Sequence, residues 1–350
     1  MLDVVSPPTH SATGVHGTRI EWVDIAKGYG ILLVMLYHCY INEIYCFWFA
    51  SFFMGLFFFL SGYTFNVKTA YLPFLYKKAK GLLIPYLFIA AVTILCNGFF
   101  ALLYGREYAV LTIIGKYLLQ IRYTLLWFIA ALFIAEQILF FLHDLIKRKK
   151  SNYSWLISAF SLMLFFAGYR YLIGVDLPWN ADLALLGASF MCLGKWFSTT
   201  SFFDYTEKFQ MTVQMILALS ISVISSGLNQ HFYCLVDWYN NQFGNPLLFI
   251  ISAIAGIIFV VRLSEQLPVK YLSWLGANTL CFYGFHRLVI DYSFGLYNKL
   301  GIIAPIGSAA EFALALTRVA LSIVLLTPVC LLLLKYIPWC LGKARKRHSA

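Results

Sequence analysis

A lysine and a histidine eleven residues apart, Lys27 and His38, stand out in the run WVDIAKGYGILLVMLYH. At 3.6 residues per turn they share one face of a helix and lie about 16 Å apart along its axis. An ammonium at one end and an imidazole at the other suit a long ligand with an anionic head and a reactive tip. A coenzyme A thioester has that form: phosphates, a flexible arm, and an acyl group at the end. The plainer alternatives are that Lys27 anchors the helix at the membrane surface beside Asp24 and that His38 packs against a neighbouring helix. A second histidine, His286, lies in WLGANTLCFYGFHRLVI and is followed by Arg287. It is about as far from the start of its apolar run as His38 is from the start of the first, so the two imidazoles are expected at similar depth. Arg287 either meets an anionic acceptor or snorkels outward.

Glu136 sits mid-run in LWFIAALFIAEQ, and Asp182 sits near the start of PWNADLALL. Either can contact substrate. Glu136 can instead share a proton with another helix, and Asp182 can favour a helix N-terminus. Ser61 and Gly62 in FFFLSGY allow close backbone approach. The cysteines form no C-x-x-C pair, so no metal is expected. A Cys46–Cys234 disulfide is the weaker alternative to packing for those two.

These residues must be held by elements of an unusual composition. Of 350 residues, 61% are hydrophobic and only 12% charged. Soluble domains carry roughly 25% charged residues, so the surplus apolar surface calls for lipid. The pattern is all-α: a polytopic membrane protein with about ten apolar runs long enough to span a bilayer. They fall near 23–43, 47–66, 81–103, 124–146, 153–173, 180–199, 210–228, 245–263, 271–294 and 312–337. A shorter stretch near 108–120 reads as interfacial.

The net charge of +11 comes from clusters between these runs: Lys68, Lys77, Lys78 and Lys80; Lys147 to Lys150; Lys343 to Arg347. With ten spans most of these fall on one side, which places both termini in the cytoplasm. The charge therefore reads as topology, with no nucleic-acid partner. Residues 1–18 read as a disordered cytoplasmic tail without a signal peptide, 19–338 as one transmembrane domain, and 339–350 as a basic cytoplasmic tail.

Six stretches carry a family resemblance: DIAKGYGILLVMLYH, FFMGLFFFLSGYTF, KKAKGLLIPY, LWFIAALF, LPWNADLALLGASFMCLG and LGANTLCFYGFH. In that order they resemble the acyltransferase-3 family of membrane O-acyltransferases, closest to the fucose 4-O-acetylase-like branch. The likeness runs from about residue 19 to about 335. It implies a multi-pass protein of the bacterial cytoplasmic (inner) membrane. It implies acetyl-CoA, or another short acyl-CoA, as co-substrate, and a glycan or lipid-linked glycan as acceptor. The family's basic residue, ten positions and histidine are Lys27 and His38 here. Many relatives carry Arg at the first position, which grips phosphate bidentately where Lys acts as a point charge. The fused extracellular domain of some relatives is not expected.

On this reading Lys27, Lys78 and Lys80 take the donor's phosphates. His38 is the base, or carries the acyl group covalently. His286 orients His38 or stabilises an oxyanion, and Arg287, Glu136 and Asp182 meet the acceptor. The competing class is a transporter or lipid-linked glycan flippase in which Lys27, Glu136, His38 and His286 relay protons.

Overall fold

In a computed structural model the residues described are 19–147, 151, 153–200, 202 and 207–344. The proposed N-terminal tail, Arg148 to Lys150 and most of the C-terminal basic cluster lie outside them. The described residues form helices and connecting turns, with one isolated bridge between Asp237 and Gln242.

Thirteen α-helices follow in order: α1 Glu21–Tyr37, α2 Glu43–Ala50, α3 Phe53–Tyr63, α4 Tyr71–Leu103, α5 Val110–Leu119, α6 Trp127–Lys147, α7 Tyr153–Leu172, α8 Ala181–Phe197, α9 Lys208–Phe232, α10 Pro246–Gln266, α11 Lys270–Ala277, α12 Thr279–Lys299 and α13 Ala309–Tyr336. Seven helical stretches among the described residues are long and apolar enough to cross a bilayer: α2 with α3, then α4, α6, α7, α9, α10 and α13.

The other three expected runs are not among these seven. Helices α1 and α8 are 17 residues each, a little short of the usual span. The run at 271–294 breaks at Asn278 into α11 and α12. Asn278 bonds its own chain there, donating to the Trp274 carbonyl at 2.7 Å. A side chain that competes for backbone partners in this way ends a helix.

Two of these exceptions, α1 and α8, lie inside the molecule. Helix α1 packs on α3, α10, α11, α12 and α13. Helix α8 is buried along nearly its whole length, from Asp182 to Gly194. Around them, α4, α7, α9 and α13 turn Leu95, Phe99, Leu164, Phe165, Ile224 and Val324 outward. An outer layer with an apolar exterior has its solvent in lipid. The inner helices pack on protein and can therefore carry polar groups.

The axis of α1 is set by backbone contact. A Cβ on Gly276 of α11 would lie 1.7 Å from the Asp24 carbonyl oxygen, and one on Gly28 would lie 2.3 Å from that of Leu272. Only hydrogen fits at either place, so small residues let the two backbones touch. Gly62 does the same between α3 and α8, where a Cβ would meet the Met191 carbonyl oxygen at 2.0 Å. All eight cysteines are free thiols, so Cys46 and Cys234 are not bridged.

Candidate functional site

Helix α1 stops earlier than its apolar run. Tyr37 is its last helical residue, His38 is the C-cap, and Tyr40 takes a left-handed φ of 57°. His38 therefore stands at the end of the helix and not within the outer half of a longer span.

His286 comes from α12, 248 residues along the chain, and meets His38 directly. Its Nε2 lies 3.4 Å from His38 Nδ1, and the ring centroids are 5.1 Å apart. Hydrogen-bond chemistry assigns the protons. His286 Nδ1 lies 3.0 Å from the carbonyl oxygens of Phe282 and Tyr283, which can only accept. It therefore carries hydrogen, and His286 Nε2 is an acceptor. His38 Nδ1 lies 2.8 Å from the Val34 carbonyl oxygen and faces the His286 acceptor, so it carries hydrogen too. The lone pair of neutral His38 is then on Nε2.

His38 lines a cavity of about 730 Å³ with Tyr37, Tyr40, Asn97, Tyr123, Tyr239 and Arg287 among its walls. His286 is fully buried and does not line it. With both nitrogens engaged, His286 is placed to hold the His38 tautomer and not to meet an oxyanion.

Arg287 lies in the same cavity, but it is not alone. Its Nε is 3.1 Å from both carboxylate oxygens of Asp291, and its Nη2 is 3.3 Å from the Tyr40 hydroxyl. Tyr40 in turn donates to Asp291 at 2.8 Å. Asp291 and Tyr40, with the rest of the tyrosine-rich wall, are the part of the site that sequence reasoning missed. Asp291 is four residues after Arg287, a helical ion-pair spacing that was there to be read.

A second cavity, of about 490 Å³, opens at the other end of α1. Lys27, Lys68, Lys77 and Lys78 line it, with Ser61, Thr64 and Asn66. Lys80 is exposed and outside it. Asp24 pairs with Arg19, so the expected Asp24–Lys27 anchor is not the arrangement found. Glu136 belongs here too and not beside the histidines. Its Oε1 accepts from Lys78 at 2.6 Å, while its Oε2 is buried without a hydrogen bond. Nine residues separate Glu136 from Trp127, which lines the histidine cavity; that is about 14 Å along α6. Helices α1, α4 and α6 each contribute to both cavities.

Asp182 stands in the first turn of α8, the helix N-terminus that was its alternative reading, and not at the histidine cavity. It is fully buried, pairs with Arg122, and lies 3.6 Å from Arg170. Asp176 and Asn180 join the same cluster. None of these residues lines the histidine cavity. Their influence on it runs through residues 120–125. Gln120, Arg122 and Thr124 all have left-handed φ, which non-glycine residues adopt only when their surroundings hold them there. Arg122 is held from its side chain by the carboxylates and from its carbonyl by the Tyr239 hydroxyl. Tyr123, Thr124 and Leu125 then form one wall of the cavity.

The His38–His286 pairing allows a test. His286→Gln is expected to lower kcat about tenfold, at the low end of what misplacing an acid–base group does, with KM for both substrates unchanged. A residue that contacts substrate would instead raise KM.

Among known proteins, a family model described as an acyltransferase domain matches residues 20–335. No curated protein and no solved structure matches the chain.

Proposed function

The chain belongs to the acyltransferase-3 family of membrane acyltransferases, and from that premise we propose that it moves an acetyl or other short acyl group from acyl-CoA to a hydroxyl of a cell-surface or lipid-linked glycan. One observation carries the proposal: α1 presents Lys27 to a lysine-lined cavity at one end and His38 to a tyrosine-lined cavity at the other. The separation along the helix, about 16 Å, is of the order of the arm of coenzyme A.

Acyl-CoA enters with its phosphates among Lys27, Lys68, Lys77 and Lys78, and its arm passes between α1, α4 and α6 towards His38. The acceptor hydroxyl approaches through the other cavity. His38 Nε2 takes the hydroxyl proton as the oxygen attacks the thioester carbonyl. Collapse breaks the C–S bond, and the departing thiolate takes the proton back from His38. The products are an O-acyl ester and free coenzyme A. His286 Nε2 accepts from His38 Nδ1–H throughout and steadies the imidazolium. Asn97, Arg287 and the tyrosines offer donors and acceptors to sugar hydroxyls.

We place the Lys27 end in the cytoplasm, where acyl-CoA is made, in the bacterial inner membrane. With ten crossings, counting α1, α8 and α11 with α12, both termini share that side. A proton relay of Lys27, Glu136, His38 and His286, as a transporter would need, is not favoured. The four groups fall into two clusters at opposite ends of α1, and the buried α1 side chains between them, Ile31, Val34 and Met35, are apolar.

The test is a comparison of surface and lipid-linked glycans by mass spectrometry in a deletion strain and the same strain restored. A mass gain of about 42 Da, an acetyl replacing a hydroxyl hydrogen, is expected only on restoration. Identical glycans with altered export would sink the acyltransferase reading. On the donor side, Lys27→Ala is expected to raise KM for acyl-CoA about tenfold with kcat little changed, as loss of uniform binding does. Steady-state rates against acyl-CoA concentration check it, and an unchanged KM would remove Lys27 from the donor site.

A further inference from the structure

A third cavity, of about 400 Å³, lies beside the histidine site. Tyr40 lines both and is the wall between them. Its other walls are largely apolar: Ile41, Phe294, Ile302, Ile303, Ile306 and Leu314. One cation stands in it, Arg318 of α13, nine residues into a membrane-length helix and only 5% exposed.

The surroundings of Arg318 account for its shape but not for its charge. The guanidinium sits over the rings of Phe294 and Tyr297, with centroids at 4.9 and 5.7 Å. Nη1 donates to the Cys39 carbonyl oxygen, which ties it to the residue after His38. Nε is buried with no hydrogen-bond partner, and among the described residues no carboxylate lies within ion-pair distance. Glu311, which also lines the cavity, is two helical turns away. It is engaged in capping its own helix, accepting from the Gly307 N–H at 2.7 Å. A charge at this depth is expensive unless something pairs it, and an aromatic face offsets only part of that.

We propose that this cavity is a binding site for a phosphate carried on an apolar chain, with Arg318 taking the phosphate and the isoleucine wall taking the first part of the chain. Guanidinium edges match phosphate oxygens geometrically. Ile303 and Ile306 are 74% and 84% exposed, so the wall opens outward through an apolar mouth. An amphiphile seated there would present whatever its phosphate bears past Tyr40 towards His38. This deepens the proposed function on the acceptor side, since it describes how a lipid-linked acceptor is held. Binding is read without turnover, so failure here leaves acyl transfer standing, and loss of acyl transfer leaves this site standing.

The test uses the full chain in nanodiscs of neutral lipid, titrated with farnesyl phosphate, farnesol and inorganic phosphate. Farnesyl phosphate is expected to bind at least tenfold more tightly than farnesol. Arg318→Gln should reduce that ratio to near one, and Arg318→Lys should retain part of it. Ile306→Asp, an exposed change that leaves the packing alone but sets a carboxylate at the mouth, should also reduce it. Inorganic phosphate that competes only weakly assigns the site to a lipid headgroup; competition equal to that of farnesyl phosphate assigns it to free phosphate. Equal binding of farnesyl phosphate and farnesol to the unmodified protein overturns the proposal. So does an unchanged ratio in both Arg318→Gln and Ile306→Asp, which would leave Arg318 a cap on the end of α1.

Discussion

Replacing His38 with Ala is expected to slow acyl transfer by about 10²–10⁴-fold, the usual contribution of a positioned general base. Membrane insertion and folding should be unaffected. His38 follows the last turn of α1, and the contacts that seat the helix lie before it: the backbone approach at Gly28 and Gly276 and the buried side chains Ile25, Ile31 and Met35. Transfer of labelled acyl groups from acyl-CoA by protein in proteoliposomes measures the loss, at equal abundance of the two proteins. The size of the effect comes from chemistry that no neighbour can take over. Among the described residues His286 is the other imidazole within reach, and its Nδ1 is bonded to two carbonyl oxygens while its Nε2 faces His38. Substituting His38 with Gln tests the same point more narrowly, because the amide keeps hydrogen-bonding capacity but cannot accept a proton at neutral pH. Near-normal transfer by both variants would remove His38 from the chemistry.

Asp182→Ala is expected to act on stability and not on substrate affinity. It would leave Arg122, whose side chain is 10% exposed, facing the space of a carboxylate that was fully buried. Removing one partner of a buried ion pair costs about 3–5 kcal/mol, a large part of the stability of an ordinary domain. Asp176 remains 3.3 Å from Arg122, which favours the lower end of that range. Thermal unfolding of the detergent-solubilised protein checks this. Loss of Arg122 anchoring should also loosen the wall formed by Tyr123, Thr124 and Leu125. The contrary outcome is equally clear: unfolding unchanged with a raised KM for the acceptor would mean that Asp182 touches substrate.

Several features are legible in the sequence. The composition required lipid. The lysine and histidine of the first apolar run, eleven residues apart, had to share a helix face because helical geometry depends on local spacing alone. The order of the six motifs placed the chain in its family. The similar depth of His38 and His286 suggested that they meet, and their ring nitrogens lie 3.4 Å apart. The short stretch near 108–120 reads as less than a span, and α5 is ten residues long.

What hydropathy could not supply was the kind of surface each apolar run would meet. A run buried in protein and a run bathed in lipid look alike, so by hydropathy α8, enclosed by its neighbours, is indistinguishable from α7. Nor does local pattern encode partners. Glu136 found Lys78, 58 residues away, and went to the lysine-lined cavity. Asp182 found Arg122, 60 residues away, and lies outside the histidine cavity. Arg318 was not singled out at all, because its meaning depends on Cys39, 279 residues distant. The sequence by itself determined the membrane class, the family and the lysine–histidine axis of α1, since these follow from composition and short-range spacing. Tertiary structure alone decided which charges satisfy one another and which are left facing a cavity. That depends on where helices far apart in the chain come to rest.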